Sequence, residues 1–265
     1  MARSGGGGVT LVVCALALAL VTPAARAAAP PPDYRLWGEL LARHYDPARG
    51  MDYRALKARD AAALRTLRQQ LAQVDVAALS RPDQLAYWIN LYNVSIVALV
   101  VDRYPIESIR DLSTDPIVRL NVFKKPHVLV KGGTLSLDEV EHERIRAGFR
   151  DARIHFAVNC AAESCPPIRT EPYVGARIDE QLDDQARRFL AGPHGARLEE
   201  RDGSVTVRVT KVMDWFAEDF ERWAGGAVGF LRQYLAPEQA RRLAAAREVE
   251  LEFDDYSWKL NDASG

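Results

Sequence analysis

Three cysteines among 265 residues are too few for a disulfide scaffold. One of them, Cys14, lies in an N-terminal apolar run, so sulfur chemistry narrows to Cys160 and Cys165 in HFAVNCAAESCP, residues 155–166. An excess of one charge is also lacking: 35 Lys+Arg stand against 36 Asp+Glu, for a formal charge of −1. That balance offers no footprint for nucleic acid. The chain has no HExxH, CxxC, GxSxG or phosphate-loop pattern, so the common motif-borne metal, redox, serine-hydrolase and nucleotide sites are not expected. No cofactor is expected either, and no internal repeat is present.

What is there begins with MARSGGGGVTLVVCALALALVTPAARA, residues 1–27: Arg3, an apolar run from Val9 to Val21, then small residues around Ala25 and Ala27. This pattern predicts a secretory signal peptide cleaved after about Ala27, taking Cys14 with it. The run spans 13 residues, short of the roughly 20 a bilayer-spanning helix requires. Loss of Arg3 and Arg26, with no acid, moves the formal charge from −1 to −3. The expected product is periplasmic or secreted, with no membrane span after cleavage.

Helical spacing covers 33–47 and 54–73, the latter with Leu56, Leu64, Leu67 and Leu71 on one side, giving an N-terminal helical segment over 28–80. The core is expected over 81–265, forming one globular unit with that segment. Residues 83–103 are apolar on nearly every side yet carry Asn90 and Asn93, which suits a buried central helix better than a lipid-facing one. β-like runs cover 117–130, with KGGT at 131–134 as a turn. Ser136 and Glu139 form a capping-box pattern ahead of a helix over 137–147. RIHFAVNC reads as a short buried strand, and a helix covers 179–191. Asp202-Gly203 joins two alternating runs as a hairpin, and helices near 211–223, 226–235 and 237–247 precede a last strand, VELEFD. Helices packed around a small, mainly antiparallel sheet make an α+β fold.

Cys160 and Cys165 are either a staple or a nucleophile and its neighbour. Cys160, at the end of a rigid element, is the better placed nucleophile. A reactive thiol needs a base. In a continuous strand, a separation of five residues puts His155 on the face opposite Cys160, so His155 is expected to be structural. His44 and His194 are expected in solvent, and His127 is undecided. His142, on the capped helix, has Asp138 and Glu139 one turn earlier to orient it, while Glu141 points about 100° away around the helix. The alternative for His142 is an incidental histidine on a charged, solvated face. Asn90 and Asn93, with Trp88 beside them, either cap other elements or face a substrate, and Asn159 is a candidate oxyanion donor. Trp215, Phe216, Phe220 and Trp223 are expected in the core.

YWINLYN (87–93), SLDEVEH (136–142), HFAVNCAAESCPPIR (155–169), KVMDWFAEDF (211–220) and YSWKLND (256–262) together resemble the domain of unknown function 547 family, from about residue 80 to the end. The resemblance implies a relationship to papain-like and transglutaminase-like cysteine hydrolases, with a rearranged core of that kind. By motif it implies Cys160, His142 and Glu141 as the catalytic set. The order departs from the papain-like one, because the histidine precedes the cysteine and the cysteine ends a strand. Two functions follow. One is an exported thiol-dependent hydrolase or transferase acting on a peptide or other amide or ester. The other is a non-catalytic binding domain of the cell envelope with a degenerate site.

Overall fold

The computed structural model describes residues 1, 2, 28–113 and 122–263. The signal-peptide expectation therefore falls almost wholly outside the described residues, as do residues 117–121 of the β-like stretch.

Three helices open the fold where two were expected, because the one expected over 54–73 is split. α1 (Arg35–His44) leads through a small hairpin, β1 (Tyr45–Asp46) with β2 (Gly50–Met51), into α2 (Tyr53–Arg59) and α3 (Ala61–Ala72). Asp60 separates α2 from α3 because its carboxylate is committed elsewhere, 2.6 Å from His44 Nε2 and 3.3 Å from Arg43. His44 is thus buried and not solvated, a correction to the sequence expectation.

α4 (Arg81–Arg103) is the centre of the larger core. Ser80 accepts the Asp83 N–H and Pro82 sits in the first turn, so the start is fixed locally. By length and composition α4 could cross a membrane, with a mean hydropathy of 1.4, and 83% of that apolar window is buried within this fold. β3 (Val128–Val130) and β4 (Gly133–Leu135) pair as a hairpin against it.

The capping box at Ser136 forms as expected: Glu139 N–H donates to Ser136 Oγ over 3.1 Å, and Ser136 N–H to Glu139 Oε2 over 2.7 Å. The helix it starts is not uniform. α5 (Leu137–Glu139) passes into a π-helical stretch, Val140–Arg146, and ends in α6 (Ala147–Phe149). A π segment widens the turn and re-aims the side chains on it, and such segments recur at functional sites.

RIHFAVNC is not a strand. Residues Ala152–Phe156 form a 3₁₀ turn, started by Asp151, which accepts the Arg153 N–H over 2.9 Å. The chain beyond it needs no sheet partner, because Asn93 takes up its backbone groups: Nδ2 donates to Ala157 O over 2.9 Å and Oδ1 accepts Asn159 N–H over 2.9 Å.

α7 (Ile178–Ala191) leads to the second core, built on a three-stranded sheet in the order β5 (Arg197–Arg201), β6 (Ser204–Val209), β7 (Glu248–Phe253). The Asp202-Gly203 turn has positive φ at both residues, 52° and 81°, which two-residue hairpins of this hand require. β6 and β7 run parallel, and α8 (Val212–Trp215), α9 (Ala217–Ala224), α10 (Ala227–Tyr234) and α11 (Pro237–Ala245) form the crossover between them. The break at Phe216 separates α8 from α9 and changes the fate of the aromatics. Phe220 is fully buried, Phe216 is half-buried, and Trp215 stays 46% exposed and Trp223 36% exposed. Trp215 and Trp223 are therefore not core residues as expected. The helices and small, mainly antiparallel sheets make this an α+β fold.

Candidate active site

The Cys160 loop is built from the inside by amides. Asn159 is fully buried; its Nδ2 donates to Pro166 O over 2.8 Å and its Oδ1 accepts Ala161 N–H over 2.8 Å. Asn93 holds Asn159 from α4, as described. Ala161 takes a left-handed conformation, φ 62°, which turns the chain back on itself. The loop is then pinned to the C-terminal segment: Glu163 N–H donates to Lys259 O over 2.8 Å and Asn261 N–H to Ala161 O over 3.1 Å.

These contacts bring Tyr256 to the sulfur. Cys160 Sγ lies 3.0 Å from Tyr256 Oη, and the Cys160 N–H donates to Cys165 Sγ over 2.8 Å. Both cysteines are free thiols. Burial works against ionising Cys160, but hydrogen bonds from Cys165, Tyr256 and the Ala162 N–H outweigh it and hold this thiol below the ordinary cysteine value. Burial, together with Cys160 beside it, pushes Cys165 well up. Burial and the adjacent sulfurs raise Tyr256 as well, so it remains a proton donor.

Cys160 lines a cavity of about 190 Å³ that also contains Glu141, His142 and His155. Its other wall is aromatic, with Trp215, Phe216, Tyr256 and Trp258 prominent. Trp215 packs against Tyr256 and Trp258 with ring centres 4.8 and 6.0 Å apart. The π-helical stretch lets neighbouring Glu141 and His142 share this cavity, although an ideal helix would aim them about 100° apart.

One network joins the titratable groups. Arg146 NH1 lies 2.7 Å from His142 Nδ1, and its Nε donates to Asp219 Oδ2 over 2.6 Å. A guanidinium only donates, so Nδ1 of His142 is the acceptor, and its Nε2 faces Asp138 Oδ1 at 3.5 Å. His155 Nε2 lies 2.7 Å from Asp219 Oδ2 while its ring stacks on Phe216 at 3.9 Å. Its Nδ1 is buried and has no partner. Despite the opposing effect of burial, bonds from His155 and Arg146 hold the Asp219 carboxyl far below its usual range. It therefore accepts, and His155 Nε2 carries the proton. Burial pushes both imidazoles below the ordinary histidine value. Burial also raises Glu141 to about 7, against the pull of Arg146 and the Tyr92 hydroxyl at 3.4 Å.

The structure thus gathers Cys160, His142 and Glu141 around one space. Among the described residues, no hydrogen bond joins Cys160 to His142. Asn90, Asn93, Asn159 and Trp88 do not line that space. Asn90 is used on the backbone of Tyr173, donating to its O over 2.7 Å and accepting its N–H over 3.0 Å. Trp88 packs edge-on against Tyr87, with ring centres 5.0 Å apart. Tyr256, Asp219, Arg146, Tyr92 and Trp215 were missed by sequence reasoning. Of these, Tyr92 lies in YWINLYN, Asp219 and Trp215 lie in KVMDWFAEDF and Tyr256 opens YSWKLND, so all but Arg146 fall within the motifs, without their roles. The parity argument for a structural His155 does not apply, because there is no strand, although His155 is buried and hydrogen-bonded to Asp219.

A second cavity, about 570 Å³, lies beyond Cys165, with Arg49, Arg169, Arg188 and His194 in its walls. It is larger, but its lining includes Cys165 and not Cys160. Among the described residues, no group of three or more His, Cys, Asp or Glu is arranged to hold a metal ion.

Fold and cavity together define an α+β protein with a polarised thiol beside two imidazoles. Residues 76–190 match the sequence model of a family described as a protein of unknown function, DUF547. That segment includes Cys160, His142, Glu141 and His155, but not Asp219 or Tyr256. No curated protein and no solved structure matches the chain.

Proposed function

We propose that this protein is a thiol-dependent acyl-transfer enzyme, a hydrolase or transferase acting on an amide or ester, with Cys160 as nucleophile. The observation that carries the reading is Tyr256 Oη at 3.0 Å from Cys160 Sγ, in a cavity that also holds two imidazoles and a carboxyl group. A structural cysteine has no need of such a partner; a thiolate does.

The family resemblance implies His142 as the base. The hydrogen bonds favour His155, because Asp219 fixes its tautomer and leaves Nδ1 with a free lone pair, whereas Arg146 occupies the lone pair of His142. His142 and Arg146 then act through Asp219. Glu141, half-protonated near neutrality, is suited to giving the leaving group a proton. Tyr256, once released from the sulfur, is a donor for the developing oxyanion. Export through residues 1–27 belongs to the same reading, and N-terminal sequencing near Ala28 checks it.

The test of the chemistry is acylation by p-nitrophenyl acetate. A burst of one p-nitrophenol per chain, with acetyl on Cys160 by peptide mass, is expected. A folded protein that gives no burst and whose Cys160 alkylates no faster than an ordinary thiol overturns the reading and returns the binding-domain alternative.

A further inference from the structure

Acyl transfer through Cys160 consumes one thiol, yet a second, Cys165, is held directly behind it. Its Sγ accepts the Cys160 N–H at 2.8 Å, and its own thiol points to Val158 O at 4.0 Å. The six-residue loop CAAESC is closed by the left-handed Ala161 and by Cys165 N–H donating to Ala162 O over 3.1 Å. Ser257 N–H, donating to Ser164 Oγ over 2.9 Å, clamps the same loop from outside. The access of the two sulfurs differs: Cys160 is half-buried at the cavity, and Cys165 is 8% exposed in the wall between the two cavities.

We propose that Cys160 and Cys165 are a peroxide-reducing dithiol, with Cys160 the sulfur attacked and Cys165 the sulfur that resolves it. This rests on Cys160 being the ionised thiol of the proposed function. The Cys160 thiolate attacks one oxygen of a small hydroperoxide; the O–O bond breaks, and the other oxygen leaves with a proton from the cavity as an alcohol or water. Cys160 becomes a sulfenic acid, oxidised by two electrons, and the peroxide is reduced by two. Cys165 gives its proton to the leaving hydroxide, and its sulfur attacks Cys160 Sγ. The S–O bond breaks, water departs and a disulfide forms. Two thiols and one hydroperoxide thus give one disulfide, one alcohol and one water. The cross-link needs side-chain rotation within a loop whose ends are already fixed, to reach an S–S length of about 2.05 Å. While it lasts, Cys160 is unavailable for acyl transfer, and an external dithiol restores it.

The experiment treats reduced full-length protein with one equivalent of hydrogen peroxide, blocks remaining thiols with N-ethylmaleimide and measures masses. In the wild type, the tryptic peptide 154–169 should become lighter by two hydrogens and refuse the maleimide. After further cleavage at Glu163 its two halves should separate only on reduction. Cys165→Ser, or Cys165→Ala as the less polar variant, should stop at a sulfenic acid on Cys160 that dimedone traps. Wild-type protein that instead accumulates dimedone-reactive or over-oxidised Cys160 overturns the dithiol while leaving the nucleophile intact. Cys160 reacting with neither peroxide nor iodoacetamide faster than a free cysteine overturns both readings.

Discussion

His155 Nε2 and Asp219 Oδ2 lie 2.7 Å apart, a buried imidazole and a carboxylate brought together across 64 residues of sequence. The pair leaves one ring nitrogen of His155 without a partner at the edge of a thiol cavity. His44 Nδ1 and His127 Nε2 are likewise buried without a partner, so what singles out His155 is its place in the cavity that Cys160 lines.

If His155 is the base, His155→Gln should lower the rate of Cys160 acylation by about 10²- to 10⁴-fold, the usual worth of a positioned general base. Asp219→Asn should follow it, with a shifted pH profile. His142→Gln should cost less, since its acceptor nitrogen is already taken by Arg146. Burst kinetics on the three variants rank them, and a larger loss at His142 would restore the base to that residue.

Tyr256→Phe removes a donor to the Cys160 sulfur without changing the ring packing. A hydrogen bond to a charged group contributes about 1.5–3 kcal/mol, so the thiol pKa should rise by about 1–2 units. Iodoacetamide labelling against pH reads this directly. An unchanged profile would mean that Tyr256 accepts from a neutral thiol instead of donating to a thiolate.

Glu141 makes stability depend on pH in a stated direction. Its pKa is raised from 4.5 to about 7 in the folded state, so the fold favours the protonated form. Its contribution is full below pH 4.5 and is lost as pH rises through about 7. His142 and His155, held below the ordinary imidazole value, act in the opposite direction over the same range, so the readout is the difference: the stability of the wild type minus that of Glu141→Gln should fall by about 2 kcal/mol between pH 5 and pH 8. A variant with the wild-type slope would place the titration elsewhere.

Asn93→Leu should destabilise the protein and loosen the thiol together. It leaves Ala157 O and the Asn159 N–H unpaired in the core, at about 1–3 kcal/mol each. Thermal denaturation measures the first effect, and a faster exchange of the Asn159 amide measures the second. Asn90→Leu should cost stability alone, because its two bonds go to Tyr173, away from the sulfur.

Trp215→Ala tests the aromatic wall. With nearly half its surface in solvent but its ring packed on Tyr256 and Trp258, its loss should cost about 1–3 kcal/mol and leave the protein folded. N-phenyl iodoacetamide should then lose its rate advantage over iodoacetamide at Cys160. Equal rates in the wild type would show that the wall does not select.

The elements that sequence alone determined are those whose causes lie within a few residues. The Asp202-Gly203 turn and the Ser136–Glu139 box each satisfy or set their own backbone, so they could be read without the fold. Cys160 as the candidate thiol, and its company with His142 and Glu141, were legible from motifs. What only the tertiary structure decided is how those groups are polarised. Tyr256 meets Cys160 from 96 residues away and Asp219 meets His155 from 64, contacts set by how α9 and the C-terminal segment pack and not by local propensity. The same holds for the failed strand. Asn93 on α4 supplies the hydrogen bonds a sheet would have given, so an apolar run with a strand's alternation folded as a turn and loop, and His155 came round to the cavity it shares with Cys160.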